Sequence, residues 1–180
     1  MNPTTSANDV RAFRRTGFIV AALIFVVDQL IKWAMIGPLQ LQSRGVIDII
    51  PIFAFRWTEN HGVSLGMLTA SSDTARWALV AMTAVIATGV AVWIMRERAR
   101  WDIIALSMVL GGALGNIVDR ARFGYVVDYA DLHFGEFRPF LIFNVADAAI
   151  TLGVVLLLAR SLLLREKPAK SPSPSSPESS

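Results

Sequence analysis

Long apolar runs, separated by shorter polar connections, dominate this sequence. Within them, Val80–Ile94 and Val154–Leu158 lack the polar stripe that every helix of a soluble bundle would need. About 20 helical residues cross a hydrocarbon core about 30 Å thick. The pattern therefore predicts a mostly α-helical membrane protein with four transmembrane helices. The predicted spans are residues 17–36, 77–95, 103–118 and 140–159.

The connection after the first span has a different pattern. Val46–Ile50 and Ile52–Trp57 are β-branched and aromatic runs separated by Pro51, which predicts two short strands. The aromatic residues of the second run alternate on one face, and aromatic side chains favour the membrane–water interface. We expect a small β-rich element on the outer leaflet; an ordinary loop with some hydrophobic residues is the alternative.

The charges agree with membrane insertion and orient the chain. Hydrophobic residues make up 54% of it and charged residues 17%, fewer than in a typical soluble domain. Ten of the 17 Lys and Arg residues lie in three short segments: before the first span, between the second and third, and after the fourth. By the positive-inside rule, both termini are cytoplasmic. The cytoplasmic segments are then 1–16, 96–102 and a disordered, Ser/Pro-rich tail at 160–180, and the outward loops are 37–76 and 119–139.

Several functional classes find no support in the residues. The chain has no cysteine, so neither disulfides nor a thiol nucleophile is expected. Its only histidines, His61 and His133, lack metal-binding spacing, and no metal or other cofactor is expected. The net charge of +3 reflects the membrane topology and gives no reason to expect a nucleic-acid partner. We expect a monomer. We also expect the first span to be retained in the protein, because polar residues interrupt its far end and no signal-peptide cleavage site follows it.

Polar residues cluster toward the outward ends of the predicted spans. Charged groups near membrane depth cost free energy unless they are paired, hydrated or functional. Most of these residues could have a purely structural role. Asp28 could form an ion pair with Lys32, and Asp119 with Arg120. The asparagines could form hydrogen bonds with neighbouring helices. The members on the spans are Asp28, Lys32, Asn116, Asp119, Arg120, Asn144 and Asp147.

Asp128 and Asp147 differ from the rest because neither has a basic residue within four positions. Asp147 is flanked by valine and alanine, and apolar surroundings raise the pKa of a carboxyl group. A second carboxylate nearby raises one of the two pKa values further. The two residues are therefore candidates for an acid–base pair that shares a proton near neutral pH.

Five motifs in order carry a family resemblance. Together they are similar to the motif set of the prolipoprotein signal peptidases (signal peptidase II), over roughly residues 17–160. Tyr129 is a minor departure, since phenylalanine is more usual there. The motifs are Asp28-Gln29-x-x-Lys32, Asn60-x-Gly62, Gly111-Gly112-Ala113-x-Gly115-Asn116-x-x-Asp119-Arg120, Val126-Val127-Asp128-Tyr129 and Phe143-Asn144-Val145-Ala146-Asp147.

The resemblance implies an aspartic endopeptidase of the bacterial plasma membrane. Such enzymes remove signal peptides from lipoprotein precursors, cutting before a cysteine that carries diacylglycerol, so the expected partners are these precursors and membrane lipids. It assigns catalysis to Asp128 and Asp147. It gives supporting or substrate-binding roles to Asp28, Lys32, Asn60, Gly62, Asn116, Asp119, Arg120 and Asn144.

Two other functions remain as alternatives. Gly62-Val63-Ser64-Leu65-Gly66 satisfies the G-x-S-x-G motif of serine hydrolases, but that motif requires a strand–turn–helix elbow on a large sheet. A proton-coupled transporter could use Asp28, Asp119 and Asp147 as a relay. The inner halves of the spans carry almost no polar residues, so no path through the membrane is visible.

Overall fold

The structure, a computed structural model, describes residues 6–62 and 73–164. Within these residues the chain forms five helices and three strands. In chain order they are α1 (Ala7–Ile36), α2 (Leu41–Arg44), β1 (Val46–Ile50), β2 (Phe53–Asn60), α3 (Asp73–Arg96), α4 (Arg100–Phe123), β3 (Val126–Leu132) and α5 (Val145–Leu164).

Four of the helices, α1, α3, α4 and α5, are long and apolar enough to cross a membrane. The small sheet begins directly after α1 and the short α2. The predicted fold class, a mostly helical membrane protein with four transmembrane helices and a β-rich element after the first, is therefore confirmed.

The ends of the helices depend on local capping more than on the apolar runs. Helix α1 begins ten residues before the apolar run at Gly17, because Ser6 and Asp9 form a capping box at its start. Helix α5 begins at Val145, later than the apolar run at Phe140, and continues to Leu164. Residues 160–164 are thus helical, and the rest of the predicted tail lies outside the described residues.

Helix α4 is the centre of the bundle and packs against α1, α3 and α5. Within the most apolar 18 residues of α4, 50% of the residues are buried, whereas in the corresponding stretch of α3 only 11% are buried. Small residues allow this close packing: a Cβ on Gly111 would lie 2.6 Å from the Ala21 carbonyl oxygen of α1. On α5, a Cβ on Gly153 would lie 2.6 Å from the Ala105 carbonyl oxygen of α4. Glycine contacts of this kind are typical of helix packing in membranes.

The sheet is antiparallel, in the order β1-β2-β3. Two strands were predicted in the first outward loop, and the structure adds β3 from the second. The two acidic residues of β3, Asp128 and Asp131, hide its strand character in the sequence, although six of its seven residues are buried. A bulge interrupts the pairing of β2 with β3 between Phe55 and Thr58, next to the pair Thr58–Asp128. Bulges often re-aim side chains beside functional sites.

Backbone contacts attach β3 to the helices on both of its sides. Helix α4 ends at Gly124, which adopts the left-handed conformation (φ 88°), and the chain then enters β3. On the other side, Ala130 exchanges two backbone hydrogen bonds with Phe143, just before α5. The start of α5 therefore lies beside the middle of β3.

Candidate active site

Asp128 lies at the middle of β3, and its side chain is only 2% exposed. Two side-chain amides donate to its carboxylate, Asn60 Nδ2 at 3.0 Å and Asn144 Nδ2 at 2.6 Å. Asn60 is the last residue of β2, and Asn144 directly precedes α5. The sheet and the helical bundle therefore both contribute to holding this carboxylate.

Asp147 lies in the first turn of α5 and takes part in the cap of that helix. Asn144 Oδ1 accepts a hydrogen bond from the Asp147 backbone N–H at 2.8 Å, and the Asn144 N–H donates to Asp147 Oδ2 at 3.4 Å. This reciprocal arrangement is that of a capping box. Asn116 of α4 donates to the other carboxylate oxygen at 2.8 Å. Asn144 thus contacts both aspartates, which brings the two candidate catalytic residues together.

The surroundings of Asp128 favour a protonated carboxyl group. Burial and the negative charge of Asp147 raise the pKa of Asp128 to about 7, even though the amides of Asn60 and Asn144 favour its ionised form. Desolvation and a neighbouring carboxylate act in the same direction here. Near neutral pH the pair can therefore hold one proton, as an acid–base pair requires.

A buried ion cluster supports this pair from the side of α1 and α4. Lys32 Nζ lies 2.8 Å from Asp28 and 2.7 Å from Asp119, and all three side chains are at most 2% exposed. Lys32 also donates to Asn116 Oδ1 at 3.3 Å. Asn116 is the residue that donates to Asp147, so the ion cluster and the candidate pair belong to one hydrogen-bond network.

Each acid of this cluster fixes a backbone segment next to a candidate catalytic residue. Asp28 Oδ1 accepts from the Ala146 N–H at 3.0 Å, one residue before Asp147. Asp119 Oδ2 accepts from the Val127 N–H at 3.1 Å, one residue before Asp128. The suggested ion pair of Asp119 with the adjacent Arg120 was wrong. Among the described residues, Asp119 pairs with Lys32, which α1 brings within 2.7 Å.

Arg120 and Gly62 complete the predicted set. The buried Nε of Arg120 has no hydrogen-bond partner among the described residues, and its positive charge acts on Asp147 and Asp128. Gly62 approaches this guanidinium closely: a Cβ there would lie 3.4 Å from Arg120 Nη2, and its φ of 81° is strained for other residues. The site thus contains a partly buried cation whose Nε has no partner within the part of the chain that the structure describes.

Two depressions meet at the candidate pair, and they differ in polarity. A cleft of about 670 Å³ runs over the sheet; among its lining residues are Asn60, Asp128 and Arg138. An apolar groove of about 330 Å³ runs along α5; Asp147 and Leu152 are among its lining residues. Phe140 and Leu141 line both. A ligand with one polar and one apolar half would fit across the two aspartates.

Sequence reasoning missed two residues that support the site. Gln29 Nε2 donates to Asp28, to Asp119 and to the Gly115 carbonyl, which braces the ion cluster. Arg76 of α3 donates to the carbonyl groups of Arg120 and Ala121, and so secures the end of α4. Gln29 stands inside a quoted motif, whereas Arg76 gives no signal in the sequence. Ser64, the nucleophile of the serine-hydrolase alternative, lies outside the described residues.

Comparisons with known proteins agree on one family. A family model described as "Signal peptidase (SPase) II" matches residues 20–163. A lipoprotein signal peptidase of Sphingopyxis alaskensis is 57% identical over 155 residues, which are 86% of this chain and 90% of that protein. A lipoprotein signal peptidase of Rhizorhabdus wittichii is 56% identical over 159 residues, which are 88% of this chain and 92% of that protein.

Solved structures show the same architecture. One bacterial membrane enzyme, solved at 2.3 Å resolution, has a TM-score of 0.71 and 25% identity, covering 87% of this chain and 93% of its own. Another bacterial membrane enzyme, solved at 1.9 Å, has a TM-score of 0.70 and 26% identity, covering 84% of this chain and 94% of its own. The four-helix arrangement with its sheet is therefore that of a known type of membrane enzyme.

Proposed function

Because this chain belongs to the signal peptidase II family and is an aspartic-type peptidase of the membrane, we propose that Asp128 and Asp147 activate water to cleave lipoprotein precursors. The substrate is a prolipoprotein whose cysteine carries diacylglycerol, and the cut falls just before that cysteine. The observation that carries the assignment is that Asn144 donates to both carboxylates, to Asp128 through its side-chain amide and to Asp147 through its backbone N–H, while a single buried network supports them.

The chemistry follows from one proton shared by two carboxyl groups. The ionised member takes a proton from a water molecule, which attacks the scissile carbonyl carbon. The protonated member donates to the carbonyl oxygen and stabilises the tetrahedral centre. The roles then reverse, so that the leaving amine is protonated. A pKa of about 7 for Asp128 supports this cycle, because a proton is available at neutral pH.

Arg120 supports the same step. Its positive charge near both aspartates suits it to stabilise the negative charge that develops on the carbonyl oxygen of the substrate. The ion cluster of Asp28, Lys32 and Asp119 holds the backbone beside the two aspartates and does not itself exchange protons with the substrate. Preorganised supports of this kind reduce the cost of orienting the reacting groups.

The two depressions match the two halves of such a substrate. The signal-peptide helix occupies the apolar groove along α5, where Leu152 and Thr151 line the wall. The first residues of the mature protein occupy the polar cleft over the sheet. The acyl chains stay in the bilayer and anchor the cysteine near its surface. Asp128 lines the cleft and Asp147 the groove, so the scissile bond crosses between them.

The orientation completes the proposal. Both termini and the loop that joins α3 to α4 face the cytoplasm, and the active site faces the outer side of the bacterial plasma membrane. Basic residues near the opposite ends of the helices support this orientation, among them Arg14, which donates to the Glu97 carbonyl, and Arg160, which pairs with Asp102 at 2.7 Å. Neither the proposed chemistry nor the site requires a cofactor or a second copy of the chain.

The test is cleavage of a diacylglyceryl-modified precursor by the purified protein in detergent. Wild type should release the signal peptide, whereas Asp128→Asn and Asp147→Asn should each abolish cleavage. Asp102→Asn is a matched control, because it makes the same change at an aspartate that pairs with Arg160 at the far end of the bundle. Substantial cleavage by either active-site variant would refute the pair, and loss of activity in Ser64→Ala would favour the serine hydrolase.

A further inference from the structure

A second polar cluster lies at the edge of the cleft, outside the network of the two aspartates. The carboxylate of Asp131 is buried, and two arginines donate to it. Arg56 Nε donates to Asp131 Oδ2 at 2.8 Å, and Arg138 Nε donates to Oδ1 at 3.2 Å. One negative charge therefore holds two positive charges, which leaves this cluster with one net positive charge.

The two arginines are similar in exposure but differ in position. Their side chains are 37% and 39% exposed for Arg56 and Arg138, respectively. Only Arg138 lines the cleft that also contains Asp128. Asp131 accepts from Arg138 only through Nε, and the two terminal nitrogens of Arg138 have no hydrogen bond to any described residue. Within the described ranges, Arg138 thus has terminal N–H donors without a partner at the cleft, while Asp131 holds its side chain in place.

The rest of the cleft suggests what these donors bind. Glu59, on the wall formed by β2, lines the cleft and brings a carboxylate to it. An acidic side chain in the cleft would be repelled there and attracted toward Arg138. A guanidinium with two free nitrogens matches the two oxygens of a carboxylate.

From this arrangement we propose that Arg138 determines specificity by binding an acidic side chain in the first few residues of the mature lipoprotein. The inference rests on the proposed function, in which the mature segment occupies the polar cleft. Asp131 acts as a positioning residue for Arg138, and Arg56 balances the buried charge of Asp131 without reaching the substrate.

The test compares two diacylglyceryl-modified precursors that differ only in Asp or Asn at the position after the cysteine. Wild type should cleave the Asp precursor with a kcat/KM roughly two- to fivefold higher at low salt, the range of a partly exposed ion pair. The preference should decrease as salt is added. In Arg138→Gln the ratio should fall to about one, whereas Arg56→Gln, the matched control, should keep the wild-type ratio.

The outcomes separate this inference from the proposed function. The inference and the proposed function both require that wild type cleaves both precursors. Absence of any cleavage would refute the proposed function itself. With cleavage observed, an equal loss on both precursors in Arg138→Gln would overturn the inference and indicate a contact with backbone or lipid. A change of ratio in Arg56→Gln as large as in Arg138→Gln would overturn it too. Arg138→Lys keeps the positive charge but loses the planar guanidinium with its paired N–H donors, and it should retain part of the preference.

Discussion

The side-chain amide of Asn144 donates to the Asp128 carboxylate at 2.6 Å, while its carbonyl oxygen accepts the N–H of Asp147 at 2.8 Å. The same side chain is therefore a helix cap for α5 and a hydrogen-bond donor to β3. These two roles can be separated, because a helix cap needs only a short acceptor, whereas contact with Asp128 needs the longer amide.

Replacing Asn144 with serine should separate catalysis from stability. Serine is a good N-cap, so the contribution of the α5 cap to the free energy of unfolding should change by less than about 1 kcal/mol. The hydrogen bond to Asp128 is lost, and kcat should fall roughly 10- to 100-fold, as expected for a bond to a charged group. Thermal unfolding in detergent and cleavage rates give the two values. Wild-type turnover by this variant would show that the contact with Asp128 is dispensable.

The pH dependence of cleavage should follow Asp128. Activity requires one proton on the pair, and with a pKa of about 7 for Asp128 that proton is lost as the pH rises above neutrality. Activity should therefore decline on the alkaline side. Asn60 donates to the carboxylate and favours its ionised form. In Asn60→Ala the pKa rises, so the alkaline decline of kcat/KM should move to higher pH. A decline that stays in place or moves to lower pH would contradict this account.

The sequence was sufficient to predict four long apolar helices and the polar cluster, although not where the helices begin and end, for a simple physical reason. Long apolar runs have few alternatives to crossing a membrane, and acidic residues near membrane depth stand out against them. Asp128 and Asp147 could be selected because no basic neighbour in sequence could pair with them. The five ordered motifs around them resemble those of a known family, and this resemblance implied the reaction, cleavage of a peptide bond by two aspartates.

The contacts between distant segments could not be predicted in the same way. Local spacing suggested that Asp119 pairs with Arg120, but the pairing is decided by α1, which brings Lys32 within 2.7 Å. Strand β3 was missed because its acidic residues resemble those of a loop, although pairing with β2 buries them. Arg76 and Arg138 acquire their roles only through tertiary packing.

Lys32 should be important for stability as well as for activity. Its ammonium group separates two buried carboxylates, Asp28 and Asp119. Lys32→Met leaves both without a cation, and breaking a buried pair in this way costs about 3–5 kcal/mol. The variant should unfold at a markedly lower temperature. Adding Asp28→Asn and Asp119→Asn removes the uncompensated charges and should recover much of the loss. If Lys32→Met alone were as stable as wild type, the ion cluster would contribute little to the free energy of unfolding.

Gly115 tests whether close helix packing positions the site. A Cβ there would lie 2.5 Å from Asp28 Oδ2, whereas a Cβ on Gly89 in α3 meets nothing within 4 Å. Both glycines lie inside helices, where alanine is favoured by roughly 0.5–1 kcal/mol. Gly89→Ala should therefore raise the unfolding temperature slightly and leave cleavage unchanged. Gly115→Ala should displace Asp28, which holds the Ala146 N–H beside Asp147, and so lower both stability and kcat. Equal behaviour of the two variants in unfolding and cleavage would mean that Asp28 tolerates displacement, and that the backbone before Asp147 is held by the Asn144 cap alone.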